Sequence, residues 1–327
     1  MNILKKIIGT IMLPGAMFIA MYILCATHGI TYYGKWTMWQ TLIPDICVAF
    51  TCALGIGLQF KNGRFDFSGG GIMLLSAIIA GNVARDNGNN LGLMCLLCMV
   101  LCVGLSLGVA ILYVYGRLPI IIATIGMALL YESVTALIYK GSGINLVSNM
   151  TLRKFCTFPY VLIPAVIAYL VYWIYSDLTV AGRQGSLLSN NQSSAVNIGI
   201  DEKKNVILSY LCSGLLFGLA SIIWIGKGMH SASFSSLSTA SELFSNILPV
   251  FIGLMLMGYC GDTMGTLMGA LTLSLMSYSL KAVFSNEMGS AISTVVTGLF
   301  VLAINVISAQ GGVWIAAIKK KMTKGRT

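Results

Sequence analysis

The chain has 327 residues, 57% of them hydrophobic and only 9% charged, against about 25% charged in an average soluble domain. A mean hydropathy of +0.86 excludes an ordinary soluble enzyme, a disordered chain and a nucleic-acid binder. The 20 Lys and Arg against 10 Asp and Glu give a net charge of +10, which in so apolar a chain records membrane topology rather than a polyanionic partner.

Each helical span needs about 20 apolar residues, so the length allows roughly ten spans with short connections and leaves no room for a soluble domain. Apolar runs bounded by Gly, Pro or charged clusters fall near 7–27, 46–60, 70–84, 92–115, 118–139, 159–176, 206–225, 246–260, 264–282 and 291–310. The predicted fold is an all-α membrane protein with about ten transmembrane helices. The runs 46–60 and 246–260 are short or glycine-rich, which predicts broken or tilted helices there. The N-terminal MNILKKIIGTIMLPGAMF has the outline of a signal peptide. It lacks a small-x-small cleavage site, and apolar residues continue to Cys25, so an uncleaved first span is expected. The cysteines lie mostly inside apolar runs. Cys95 and Cys98 have C-x-x-C spacing within LGLMCLLCMVLC, where a metal or redox pair would lack polar supporting groups, and they read as packing residues.

The connections sort by charge. With Lys5 and Lys6 on the cytoplasmic side, alternate crossing puts Lys61, Arg64, Arg117, Arg183, Lys203, Lys204 and the C-terminal cluster Lys319–Arg326 there too. The outer side receives Lys35, Arg85, Lys140, Arg153, Lys154, Lys227 and Lys281, a minority of the 20 basic residues. The asymmetry predicts both termini in the cytoplasm and an even number of spans. The longest polar connection, 177–205, falls on the cytoplasmic side. It is too poor in apolar residues to fold alone and predicts one short helix on the membrane surface, a handle for a cytoplasmic partner. A faint internal echo relates 52–81 to 249–276. Each has an apolar stretch, a polar turn with an Asp (Asp66, Asp262) and glycines opening the next span, as in membrane proteins built from pseudo-repeated halves. Any glycine-rich helix pair would give a similar echo.

Catalytic signatures are missing from the sequence. There is no G-x-x-x-x-G-K-[ST], no H-E-x-x-H and no G-x-S-x-G. The serine-rich 231–243 has no His or Lys base at catalytic spacing, and no resident cofactor or metal is expected. Of the ionisable residues, Glu132 in MALLYESVTALIY lies about 20 Å into its span at 1.5 Å per residue. It would line a solute cavity or hydrogen-bond a neighbouring helix, and packed polar contacts between membrane helices are the commoner case. Glu242, Lys281, His28 and His230 fall near outer span ends. Trp36, Trp39, Tyr172 and Trp173 fit interfacial belts.

Three segments in order carry a resemblance. NGRFDFSGGG (62–71) resembles the G-G-[IF]-D-L-S-V-G turn between spans two and three of ribose- and galactose-type ABC importer permeases. GRLPIIIATIG (116–126) resembles the R-[IL]-P-x-[FI]-I-A-T-L-G start of that family's span five. TVAGRQGSLLSNNQSSAVNIGI (179–200) is similar, without a register break, to the family's cytoplasmic T-x-F-G-R-x-x-x-A-I-G-G-N-x-x-A-A-x-x-x-G-I segment, through Thr179, Gly182, Arg183, Asn191, Ala195, Gly199 and Ile200. The likeness runs from about residue 50 to 310.

The resemblance implies a single permease domain over 1–327 in the bacterial cytoplasmic (inner) membrane. It implies two permease chains, identical or paralogous, forming the pathway in the lipid membrane, a solute-binding protein outside and an ATP-binding cassette ATPase inside. The implied solute is a small sugar. Segment 186–200 corresponds to the coupling helix, with Thr179, Gly182, Arg183, Asn191, Ala195 and Gly199 as ATPase-coupling residues. Asp66, Ser68 and Gly69 in the first motif, Thr124 in the second, and Glu132 are the candidate pathway residues. Gln192, Ser193 and Ser194 depart from the family's residues after the loop Asn, and Gly69–Gly71 replace its Val-Gly pair. These departures leave a nucleoside or other small polar solute open. A stand-alone secondary carrier is the remaining alternative.

Overall fold

The computed structural model describes residues 3–235, 237–284, 289, 291–303 and 306. The basic cluster Lys319–Arg326 and residues 307–310 of the last predicted span lie outside the described residues. Twelve α-helices follow in order among those described: α1 (Ile3–Thr27), α2 (Trp36–Lys61), α3 (Gly69–Asp86), α4 (Leu91–Gly116), α5 (Ile120–Leu137), α6 (Leu162–Trp173), α7 (Val180–Asn190), α8 (Gln192–Asn197), α9 (Glu202–Trp224), α10 (Ala240–Leu256), α11 (Asp262–Val283) and α12 (Ala291–Ala303). Every predicted apolar run contains one of these helices. Five are long and apolar enough to cross a membrane, and six if one bent pair counts as a single span.

Two expectations are corrected. The second run is neither short nor broken: α2 is a continuous helix of 26 residues from Trp36 through Pro44 to Lys61. Its first turns, WTMWQTLIPD, hide from a hydropathy window because polar groups are mixed in, and Asp45 among them is ion-paired with Lys227. The broken helix lies elsewhere. Residues Leu162–Leu178, ending in a π-turn over Ile174–Leu178, meet α7 at 70°. The single surface helix expected in 177–205 is also two helices. Asn191 adopts an extended conformation (φ −156°, ψ 97°) that ends α7, and its side chain accepts from Ser194 N–H at 3.0 Å to start α8.

The chain divides into two compact units. The larger, Trp39–Ile247, is organised around α9, whose inward residues are almost all buried. Gly214 and Gly218, one turn apart, face Val103 and Met99 of α4. A Cβ on either would stand 2.8 Å from its neighbour, so the small-xxx-small pair is what allows the backbones this approach. Contact pairs give the helix directions. Ser221 with Cys98 sets α4 antiparallel to α9; Gln59 with Ser213 does the same for α2. Ser76 with Ser221 sets α3 parallel. These directions match successive crossings. At one end of this unit, Ile144–Asn145 (β1) pairs antiparallel with Met229–His230 (β2). Asn82 donates to the Gly143 carbonyl at 3.1 Å and Arg153 to that of Gly226 at 2.8 Å. Arg85, Lys140, Arg153, Lys154 and Lys227, all assigned to one side by charge, gather at this end.

The smaller unit is Met1–Met38 with Leu248–Thr327. Here α1 packs along α11 while Ile7, Ile11, Ile19 and Ile23 remain exposed, a face suited to lipid. Tyr33 stacks between Phe18 (5.4 Å) and Tyr22 (6.2 Å). Gly265 meets the backbone of Gly253, where a Cβ would lie 2.8 Å from the Gly253 carbonyl oxygen.

Candidate functional site

The site forms where two of the sequence motifs meet. The α2–α3 turn, Asn62–Ser68, is buried at Asn62, Arg64, Asp66 and Ser68, and α7 lies across it. Gly185 abuts the Asn62 side chain, with a would-be Cβ 2.8 Å from its Cγ. Gly63, held at φ +74°, faces Ser189, whose Cα would be 3.1 Å from a Cβ. The left-handed turn and the close approach both require glycine at 63. The other end of α7 is fixed by Thr179, whose Oγ1 accepts from Gly182 N–H at 3.1 Å and donates to the Tyr175 carbonyl at 2.6 Å. Gly182 packs directly on the backbone of Tyr175 and Ser176. A side chain there would push α7 off the π-turn that follows α6, which explains a glycine in the first turn of this helix.

The predicted coupling residues thus have distinct local roles. Thr179 and Asn191 are the N-caps of α7 and α8. Ala195 is buried with Leu188 and Ile200, the small core that holds the two helices together. Gly199 turns the chain at φ +92°. Arg183 is exposed. Around it the pair presents Val180, Leu187, Val196 and Ile198 to the outside, with Ile198 73% exposed. Gln192 donates to Glu202 at 2.7 Å, tying α8 to the start of α9.

Beneath α7, the Arg64 guanidinium donates to Ser209 Oγ at 2.8 Å and to Asn205 Oδ1 at 3.2 Å. Among the described residues it has no carboxylate within ion-pair distance. Burial pushes its pKa down from the ordinary value. Asp66 accepts from the Ser68 N–H at 2.7 Å and hydroxyl at 2.6 Å, closing the turn ahead of α3. Burial raises its pKa from the ordinary value, against the lowering effects of the Ser68 bonds and of Tyr210. Gly69 then meets Phe217, whose ring would stand 2.7 Å from a Cβ.

The remaining pathway candidates separate. Thr124 is buried and bonds back to the Ile121 carbonyl of its own helix at 3.2 Å. Glu132 is 2% exposed and reaches across to the start of α10. Its Oε1 accepts from the Thr239 N–H at 2.7 Å and hydroxyl at 2.6 Å, capping that helix from outside. Thr239 in turn rests on Gly70, where a Cβ would lie 2.7 Å from the Thr239 carbonyl. Next to this stack opens a cleft with about 20 Å³ of water-sized room, lined by Cys52, Ile56, Gly70, Met73, Trp224, Thr239, Glu242 and Asn246 among others. That is space for a single water. The structure therefore keeps Asp66 and Ser68 together at the end of the turn, packs Gly69 on Phe217 of α9 and sets Glu132 near the cleft; Thr124 joins neither group by any side-chain hydrogen bond described.

Sequence reasoning missed Asn205, Ser209, Ser213 and Gln59. Gln59 donates to Ser213 Oγ at 2.9 Å, and the Ser213 hydroxyl donates to the Gly55 carbonyl at 3.2 Å. The signal was present: Asn205, Ser209 and Ser213 stand four apart, one polar stripe down an otherwise apolar helix. At the other end of the unit, His230 stacks on Trp224 (ring centroids 3.7 Å) and bonds its carbonyl at 2.9 Å. Burial lowers its pKa to about 4.

A multi-pass helical protein in which a capped, outward-facing helix pair is seated on a buried turn between two long helices belongs, as a class, with membrane permeases. The sequence profile described as "Branched-chain amino acid transport system / permease component" matches residues 38–305, and the chain belongs to that family. Ribose import permease protein RbsC of Escherichia coli strain K12 is 27% identical over 254 residues, 73% of this chain and 76% of that protein. Its namesake from Bacillus subtilis strain 168 is 26% identical over 269 residues, 80% and 81% of the two chains. Fructose import permease protein FrcC of Rhizobium meliloti is 27% identical over 272 residues, 76% and 72%. No solved structure matches the chain.

Proposed function

We propose that this chain is the permease subunit of an ATP-driven importer for a monosaccharide in the bacterial inner membrane. In this reading the whole chain is one permease domain that crosses the membrane about ten times with both termini inside. It pairs with a second permease, identical or paralogous, takes solute from an external binding protein, and is driven by a separate ATPase. It catalyses no reaction itself.

The observation that carries the reading is α7–α8 with its seat. The helix pair is exposed on one side, through Val180, Leu187, Val196 and Ile198, and tied to the bundle on the other, through Gly182, Gly185 and Ala195. A rigid element of that kind converts a partner's movement into displacement of α6, α9 and the α2–α3 turn together, which is what a nucleotide-driven partner needs to act upon. The relatives named for ribose and fructose import support a sugar as solute.

The test is a mild-detergent pull-down of the tagged chain from its native membrane, with mass spectrometry of what accompanies it. Recovery of a P-loop ATPase is expected, and a second permease sequence in the same fraction would establish a heteromeric pair. Recovery of the chain alone, under conditions that preserve a control importer, would overturn the reading in favour of a stand-alone carrier.

A further inference from the structure

The contacts beneath α7 form one continuous chain. The Asn205 amide donates through Nδ2 to the Ala181 carbonyl, in the first turn of α7, at 2.7 Å. Its Oδ1 accepts from Arg64 at 3.2 Å. Arg64 donates on to Ser209 at 2.8 Å. The Ser209 hydroxyl lies 3.5 Å from Gln59 Oε1, and Gln59 Nε2 donates to Ser213 at 2.9 Å. Next along α9 is Phe217, against which both Gly55 and Gly69 close. Ile56 and Gly70, their neighbours in sequence, line the cleft. Asn205, Arg64, Ser209 and Ser213 are all buried.

Resting on the coupling reading above, we propose that Asn205 is the positioning residue that transmits displacement of α7 to the α2–α3 turn, and through that turn to the floor of the cleft. The reasons are geometric and energetic. Among the described residues Asn205 bonds both the α7 backbone and the turn's guanidinium, so α7 and Arg64 cannot separate without breaking it. Arg64 is a buried cation whose acceptors are neutral oxygens, and a buried charge tolerates the loss of an acceptor poorly. The arrangement therefore resists stretching: when Ala181 moves, Asn205 and Arg64 follow as a unit. An Asn is suited to the position because its amide offers a donor to the carbonyl and an acceptor to the guanidinium within one planar group on a short side chain. The Gln192–Glu202 bond ties α8 to the same first turn of α9, so both surface helices converge on it.

The variant that separates this role from a merely structural one is Asn205→Asp. It keeps an acceptor, now charged, for Arg64, and removes the donor to Ala181. If Asn205 only satisfies Arg64, N205D is as active as the wild type. If it transmits movement, N205D folds and holds the ATPase but is uncoupled. Hydrogen–deuterium exchange on the permease–ATPase complex in nanodiscs, with and without ATP and vanadate, reads this directly and needs no knowledge of the solute. Wild type is expected to show a nucleotide-dependent change at both 180–197 and 62–68. In N205D the change at 180–197 persists, while that at 62–68 falls about fivefold or more. Ser209→Ala, which touches Arg64 but not α7, leaves both responses in place. Should N205D fail to accumulate, Asn205→Ser, which loses both bonds, is read against Ser209→Ala, which also costs Arg64 an acceptor: a response at 62–68 lost in N205S and kept in S209A supports transmission. An undiminished response at 62–68 in N205D or N205S overturns the transmission role and leaves the coupling reading standing. No nucleotide response at 180–197 in wild type overturns the coupling reading, and this inference with it.

Discussion

Two turns in this protein look alike in sequence and are built differently. The first, between α2 and α3, and the second, between α10 and α11, each place an Asp before a glycine-rich helix start. In the first, the Asp is buried and closes the turn on Ser68, Arg64 reaches into α9, and Gly69 is packed against a side chain, Phe217. In the second, Asp262 is only partly buried, and Gly265 meets the backbone of Gly253 with no side chain between. A repeat of small residues thus records a shared need for close helix approach. The chemistry added to one copy records what that copy is used for: the first turn is the seat of α7.

The sharpest way to break the comparison is to add a methyl group to each turn. Gly265→Ala sets a Cβ against a main-chain carbonyl that has nowhere to go, and overpacking of this kind costs about 3 kcal/mol at the upper end. Its thermal unfolding temperature in detergent should fall the most. No single second-site change should restore it, since no side chain can be trimmed. Gly69→Ala should cost about 1–2 kcal/mol and be substantially rescued by Phe217→Leu, which makes room. Equal, unrescued losses at both sites would mean that the two turns are packed in the same way.

A smaller effect tests how the first turn's helix is held on its other flank. Glu132→Gln leaves the shape but weakens a charge-assisted cap on Thr239, which rests on Gly70. A loss of about 1 kcal/mol is expected, with the ATPase still captured in the pull-down. A variant as stable as wild type that transports poorly would instead make Glu132 a pathway residue.

The smallest effect concerns Asp66. Its pKa in the folded protein lies above its unfolded value, so the protonated form favours folding. That contribution is fully present below the unfolded pKa of about 4 and is lost as pH rises through the folded value. Asp66→Asn removes the titration and keeps an oxygen for Ser68. The variant should gain stability relative to wild type as the pH is raised above the unfolded pKa of about 4, in paired unfolding measurements across that rise. A difference that stays flat, or runs the other way, would mean that burial does not govern this carboxyl.

Much was legible in the sequence because hydrophobic burial in lipid leaves a coarse, one-dimensional record. The membrane class and the helix at every apolar run follow from which stretches water would reject. The family likeness rests on residues with strong local reasons to be where they are: Thr179 and Asn191 cap helices, and Gly182 permits a contact. What escaped was set by partners distant in sequence. Where α2 begins could not be read, because polar residues and Asp45, whose partner Lys227 lies far along the chain, interrupt the apolar run there. Arg64 was visible merely as a topology charge, since its acceptors lie about 140 residues away on α9. Glu132 could be a cavity lining or a clasp until Thr239 was seen to meet it. A sequence states which groups must leave water, and the tertiary fold decides which groups satisfy them once they have.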